Sequence, residues 1–200
     1  FQNLPSRDAK KKALKQALIP PDDSVIMNVD SSQIEARELV WLAGQEDVTQ
    51  WYREGRDVYL EFASKVYNRH MGLTMKKITK ADKMKRFVGK TCILGLGYGT
   101  GAMKLQNVLK LGGAELSEYE CQRIVNLYRE LNDKVVELSR DCDNALADIV
   151  SWPNGKPEYY IGKKEVVLVT PKGLKLPNGL YIYYPELEWD TSEVKGRYTY

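Results

Sequence analysis

Up to Val150 the chain of 200 residues reads as nearly continuous helix after one short strand, and beyond it turn signals take over. "WPNGKP", "TPKG" and "LPNG" separate the short runs "EYYIG", "EVVLVT" and "LYIYYP", a pattern that predicts β-hairpins. Before that boundary, "RDAKKKALKQALIPP" predicts a short helix stopped by Pro20 and Pro21, because proline cannot continue a helix. "SVIMNVD" reads as a buried strand ending at Asp30. From Ser32 the spacing of Ile34, Leu39 and Leu42 predicts a helix with Gly44 as its C-cap. "DVTQWYREG" and "DVYLEFASKVYNRHMG" continue as helices. "TKADKMKRFVGKTCILGLGYG" is the longest helical candidate, followed by "GAMKLQNVLKLGG" and the run from Ser117 to Val150. The fold class expected is α+β and mostly helical, with a C-terminal β-hairpin region.

Composition removes several chemistries. Three cysteines without metal-ligand spacing suggest reduced thiols in an intracellular protein. His70 is the only histidine, which excludes multi-histidine zinc sites. No apolar run approaches a membrane span. The chain opens at Phe1 and closes on "KGRYTY", which reads as a segment of something longer.

Charge is balanced globally, with 30 basic and 27 acidic residues, but not locally. Lys76, Lys77, Lys80, Lys83, Lys85, Arg86 and Lys90 face the single acid Asp82, and Arg7, Lys10, Lys11, Lys12 and Lys15 form a second cluster. Such clusters suit a polyanion, or else solvated helix faces. In "RFVGKTCILGLGYG", Arg86, Lys90, Leu94 and Tyr98 recur at four-residue spacing along one helix face of about 18 Å. Two cations at one end and an aromatic at the other match a nucleoside triphosphate. Gly95, Gly97 and Gly99 each cost about 1 kcal/mol in a helix interior, so they imply close approach, a hinge or the helix end.

Two further readings of the glycines compete with this one. "GKT" at 89–91 fails as a P-loop because Met84 stands where its first glycine belongs. "GYGTGA" fits a dinucleotide-binding turn if "TCILGL" is a strand, which would make the chain an oxidoreductase. Asp30, at the end of its expected strand, has two readings: a ligand for a hard cation such as Mg²⁺, or a charge favouring the next helix, where Ser32 and Glu35 have the spacing of a capping box.

These residues carry a resemblance. "VDSSQIEAR" resembles motif A of the family A (DNA polymerase I type) DNA polymerases, "RFVGKTCILGLGYG" their motif B, "FQNLPSR" the segment before motif A, and "EGRDVYLEFAS" the linking helix. The resemblance implies template-directed DNA synthesis from dNTPs on a primer–template, in a bacterial or phage-infected cytoplasm. It implies a partial right-hand palm over residues 1–40, helical fingers over 41–150, and a β-hairpin insertion over 151–200 leading back toward a palm motif C that the chain lacks. Asp30 and the Ser31 carbonyl would hold Mg²⁺, with the second carboxylate of the two-ion site absent from this chain. Arg86 and Lys90 would grip the triphosphate, with Tyr59 near it and Leu94 and Gln33 on the nucleotide. Glu35 would pack on the sugar and pair with Tyr98, which guards the templating position. Gln2, Asn3 and Arg7 would touch the primer–template. Leu94 departs from the usual Phe or Tyr, and Tyr59 from a common histidine. Such a fragment is expected to be inactive alone; the alternative is a non-catalytic nucleic-acid-binding module.

Overall fold

The computed structural model describes residues 17–27, 29–70, 81–190 and 197–199. The chain divides into two units, one ending at Ser32 and the other beginning at Gln33. The helix expected at residues 7–19, the segment carrying Gln2, Asn3 and Arg7, and Lys76, Lys77 and Lys80 fall wholly or mostly outside the described residues.

In the first unit, Ser24 N–H donates to the Pro21 carbonyl at 3.1 Å, closing a turn in which Asp23 takes φ 62°. Residues 24–27 and 29–30 then lie outside regular structure, which corrects the buried strand expected there. Val25, Ile26, Met27 and Val29 are exposed, Val29 by 87%. The physical reason is that a strand is completed by its ladder neighbours, and among the described residues none pairs with this segment.

The second unit holds seven helices among its described residues: α1 Ile34–Ala43, α2 Glu46–Arg53, α3 Val58–His70, α4 Lys83–Gly97, α5 Ala102–Leu111, α6 Glu118–Leu131 and α7 Asp133–Val150. Their apolar faces meet in one core that includes Val40, Val58, Phe62, Val88, Leu105, Leu109, Ile124 and Val125. The thiols of Cys92, Cys121 and Cys142 are free, and burial pushes Cys92 up to about 12. Among the described residues the longest helix is α7, not α4. The helical run expected from Ser117 to Val150 breaks at Asn132, because buried Gln45 occupies the junction: its Oε1 accepts from Lys134 N–H at 3.0 Å and its Nε2 donates to the Leu131 carbonyl at 3.4 Å. A capping box does form, but at Ser117 and Glu120, where α6 starts. Helix α1 is instead preceded by Gln33 in the left-handed region, with no side-chain cap bond. Residues 91–96 lie inside α4, so "TCILGL" is not the strand a dinucleotide turn requires.

Two glycines explain the tight crossings of α4. A Cβ on Gly89 would fall 2.1 Å from the Tyr59 carbonyl oxygen of α3, and one on Gly97 would fall 2.8 Å from Leu39 Cδ2 of α1. The helix ends at Tyr98, where Gly99, at φ 73°, donates to Leu96 O and Thr100 N–H donates to Gly95 O at 3.1 Å. This is the Schellman pattern, which a left-handed glycine makes possible. Gly44 closes α1 in the same way, at φ 73°.

After α7 the expected hairpins appear as a four-stranded antiparallel meander, β1 Tyr159–Ile161, β2 Val167–Thr170, β3 Gly173–Lys175 and β4 Tyr181–Ile182. A separate pair follows, β5 Glu188–Asp190 with β6 Arg197–Thr199. The β2–β3 turn is held by Thr170, whose hydroxyl accepts from Lys172 N–H and donates to the Gly173 carbonyl. Tyr159, Val169 and Leu174 share one face through the register and pack with Ala145 of α7 in a second small core. The meander also seats on α1 and α2: Lys163 N–H donates to the Leu42 carbonyl of α1 at 3.0 Å, and Lys164 Nζ lies 2.9 Å from Glu46 Oε1 of α2. No helix among the described residues is long and apolar enough to cross a membrane.

Candidate functional site

Helices α1, α3 and α4 bring together residues far apart in sequence. Asp57 precedes α3 and accepts from the Leu60 N–H at 3.3 Å through Oδ1, so it acts as the helix N-cap. Its Oδ2 accepts from Arg86 Nε at 2.8 Å. The same guanidinium stands 5.3 Å over the Tyr59 ring. Arg86 is therefore held from two sides, by a carboxylate and an aromatic face, both one turn or less from the start of α3.

Tyr59 is 4% exposed. Burial raises its phenol above the ordinary value, against the pull of Arg86 and with a further push from Asp57 and Glu35. Tyr98 is 74% exposed. Its phenol is raised by desolvation first and then by the Glu35 carboxylate, through charge and a hydrogen bond. Glu35 is thus an electrostatic neighbour of both tyrosines, one on α3 and one capping α4. The Gly97 crossing against Leu39 is what lets the first turns of α1 reach the end of α4.

Of the other expected residues in this unit, Lys90 is exposed, and no described carboxylate pairs with it. Leu94 is partly buried and packs against the main core. Gln33 takes φ 59° and ψ 29°, and its buried Oε1 has no hydrogen-bond partner. A left-handed non-glycine residue with an orphaned acceptor is a strained position of the kind found at ligand sites. Within the basic stretch, Lys85 meets Asp82 at 3.7 Å and the Tyr67 ring at 5.7 Å, while Lys83 is exposed.

Asp30 and Ser31 are exposed and belong to the first unit. Their oxygens suit a hard cation. Among the described residues no group of three His, Cys, Asp or Glu gathers as a metal site. Asp57 was missed by motif reading. The signal was present, since an aspartate directly before the apolar run "VYLEF" has the position of an N-cap; its second partner, 29 residues away, was not visible.

A family model described as DNA polymerase family A matches residues 1–148. The chain belongs to DNA polymerase family A. Among curated relatives, the DNA polymerase of Bacillus phage SP02 is 28% identical over 194 residues, covering 94% of this chain and 28% of the relative. The thermostable DNA polymerase I of Thermus aquaticus is 31% identical over 111 residues, 56% of this chain and 12% of its own length. DNA polymerase I of Helicobacter pylori is 29% identical over 120 residues, 60% of this chain and 12% of its own length. The chain thus spans 12% to 28% of the length of these relatives. The phage match runs beyond residue 148 into the strand-bearing region, where the family model stops.

Proposed function

We propose that this chain supplies a partial palm and the fingers of an enzyme that extends a DNA primer on a template, with residues 41–150 as fingers and 151–200 as an insertion leading back to the palm. The observation that carries the reading is the convergence of Glu35, Tyr59, Arg86 and Tyr98 from α1, α3 and α4, in a chain of this family. These side chains come from the two motifs and the linking helix, and together they make a cationic end and an aromatic end.

In this reading Arg86 and Lys90 hold the triphosphate, Arg86 as a fork kept in place by Asp57 and Lys90 as a mobile point charge. Tyr59 backs the guanidinium. Glu35 packs on the sugar and orients Tyr98 at the templating position, while Leu94 and Gln33 contact the nucleotide. Gln2, Asn3 and Arg7 hold the primer–template backbone. Asp30 and the Ser31 carbonyl are the donors for Mg²⁺, which when bound would neutralise charge on the transferred phosphoryl group and activate the primer hydroxyl. A matched nucleotide would draw the fingers helix inward, with Gly95 as its compliant point.

The test is dNTP binding by the chain, measured with a fluorescent dNTP in Mg²⁺. Lys90→Ala and Arg86→Ala are each expected to weaken binding by about tenfold or more, as removal of one charge-assisted contact does. Asp30→Ala is expected to remove the dependence on Mg²⁺. The isolated chain should add no nucleotide to a primer. Binding unchanged in both cation variants would overturn the reading and favour a nucleic-acid-binding module without chemistry.

A further inference from the structure

Helices α1 and α2 line an open groove of about 310 Å³, bounded by Arg37, Glu38, Trp41, Thr49, Tyr52 and Arg53. Its walls are mostly apolar. None of these residues belongs to the Arg86 cluster. The volume lies at the lower end of the range for small-ligand sites.

The floor is aromatic and the rim cationic. Trp41 is 41% exposed, an unusual degree for the largest apolar side chain. Lys164 Nζ stands 5.8 Å from its ring. The Arg37 guanidinium lies 4.7 Å over the ring of Tyr52. Tyr52 itself is 8% exposed, yet its hydroxyl is buried without a hydrogen-bond partner. On the rim, Glu46 is shared between Lys164 at 2.9 Å and Arg53 at 3.5 Å, so one acid answers two cations. Arg37, Arg53 and Lys164 thus stand with Glu38 and Glu46 around a flat aromatic surface.

We propose that this groove binds one nucleotide of a single strand of nucleic acid, with the base against Trp41 and the phosphates among Arg37, Arg53 and Lys164. An exposed indole stacks any base, because every base has a π face, and arginine beside it adds the backbone contact. The cations are distributed around the aromatic floor, which suits phosphates repeating along a strand better than the crowded phosphates of a free triphosphate. The site is independent of the triphosphate site above.

Binding of a short fluorescein-labelled oligo-dT to the chain, followed by anisotropy, tests it. Trp41→Ala is expected to weaken binding about tenfold, the usual effect of losing one stacking platform, and Trp41→Phe to restore most of it. Arg53→Ala is expected to flatten the salt dependence by about 0.7 in the slope of log K against log salt, as one lost phosphate contact to a single strand does. Far-UV circular dichroism checks that the variants fold; should Trp41→Ala not fold, Trp41→Phe and Arg53→Ala carry the test alone. Absence of oligo-dT binding, or equal affinity in Trp41→Ala and wild type, overturns the proposal. Displacement by free dTMP as effective as by unlabelled oligo-dT at equal nucleotide concentration also overturns it, in favour of a mononucleotide pocket. Loss of dNTP binding in Lys90→Ala with oligo-dT binding intact leaves both proposals standing as separate sites. A wild-type chain that ignores dNTP but binds oligo-dT through Trp41 defeats only the polymerase reading.

Discussion

Gly89 and Gly95 lie six residues apart on α4 and answer to different steric demands. At Gly89 a methyl group would run into the Tyr59 carbonyl at 2.1 Å and the Ala63 methyl at 3.0 Å, and backbone cannot step aside cheaply. Gly89→Ala is therefore expected to destabilise the fold by about 1–3 kcal/mol, the usual cost of overpacking. At Gly95 the nearest atom is Thr100 Oγ1 at 3.5 Å, an ordinary contact. Gly95→Ala should raise stability by about 0.5–1 kcal/mol, since alanine loses less backbone freedom in a helix. Urea denaturation of the two variants measures both signs. If the fingers move as proposed, the second variant should also bind dNTP less readily, because its hinge is stiffer. The three glycines at 95, 97 and 99 looked alike in sequence. Only the fold separates the one pressed against Leu39, the one in a left-handed cap, and the one with room to spare.

At the scale of elements, local signals were readable and distant ones were not. Gly44 announced the end of α1 because a left-handed glycine is a local requirement. "TPKG" and "LPNG" announced turns for the same reason, and strands appear on either side of them. The break at Asn132 was invisible because it depends on Gln45, whose two partners there lie 86 and 89 residues away. Gln45→Ala leaves a half-buried N–H and a half-buried carbonyl without their partner and is expected to cost about 1–2 kcal/mol. Ser117→Ala, which loses only an exposed capping box, should cost about 1 kcal/mol. Thermal melts of both variants give the comparison. "SVIMNVD" has strand composition, but composition cannot supply the neighbour that a ladder needs.

The junction of α7 with β1 carries a pH dependence. Asp148 Oδ2 accepts from Lys156 Nζ and from the Tyr159 hydroxyl, both at 2.5 Å. Lys156 first and Tyr159 second hold this carboxyl below its ordinary value. A depressed carboxylate contributes stability above its unfolded pKa and loses it as pH falls through the folded value. The sheet should therefore loosen from α7 in acid, below the ordinary aspartate range. Asp148→Asn should start less stable at neutral pH and show a shallower acid decline, read by melting temperature across that window.

At the scale of the molecule, the placement of Arg86, Lys90 and Leu94 on one helix capped by Tyr98 was legible, because motif spacing on a helix is a local property. Their alignment with Glu35 depends on how α1 crosses α4, which no spacing on either helix specifies. Seating of the meander on α1 is a further tertiary fact. Gly162, at φ 73°, would place a Cβ 2.8 Å from the Leu42 carbonyl. Gly162→Ala should lift the meander from α1 and raise amide exchange at Lys163, with the core helices α3 and α4 unchanged, as hydrogen-exchange mass spectrometry would register.

Helix α1 carries Glu35 in its first turn and the meander's anchor, Leu42, in its last. Ten residues of helix form a rod of about 15 Å, too short to bend appreciably. Such a rod works as a lever. A load that tilts its anchored end by ten degrees swings the carboxylate at the other end by about 2–3 Å, a displacement large enough to remove its electrostatic influence on Tyr98.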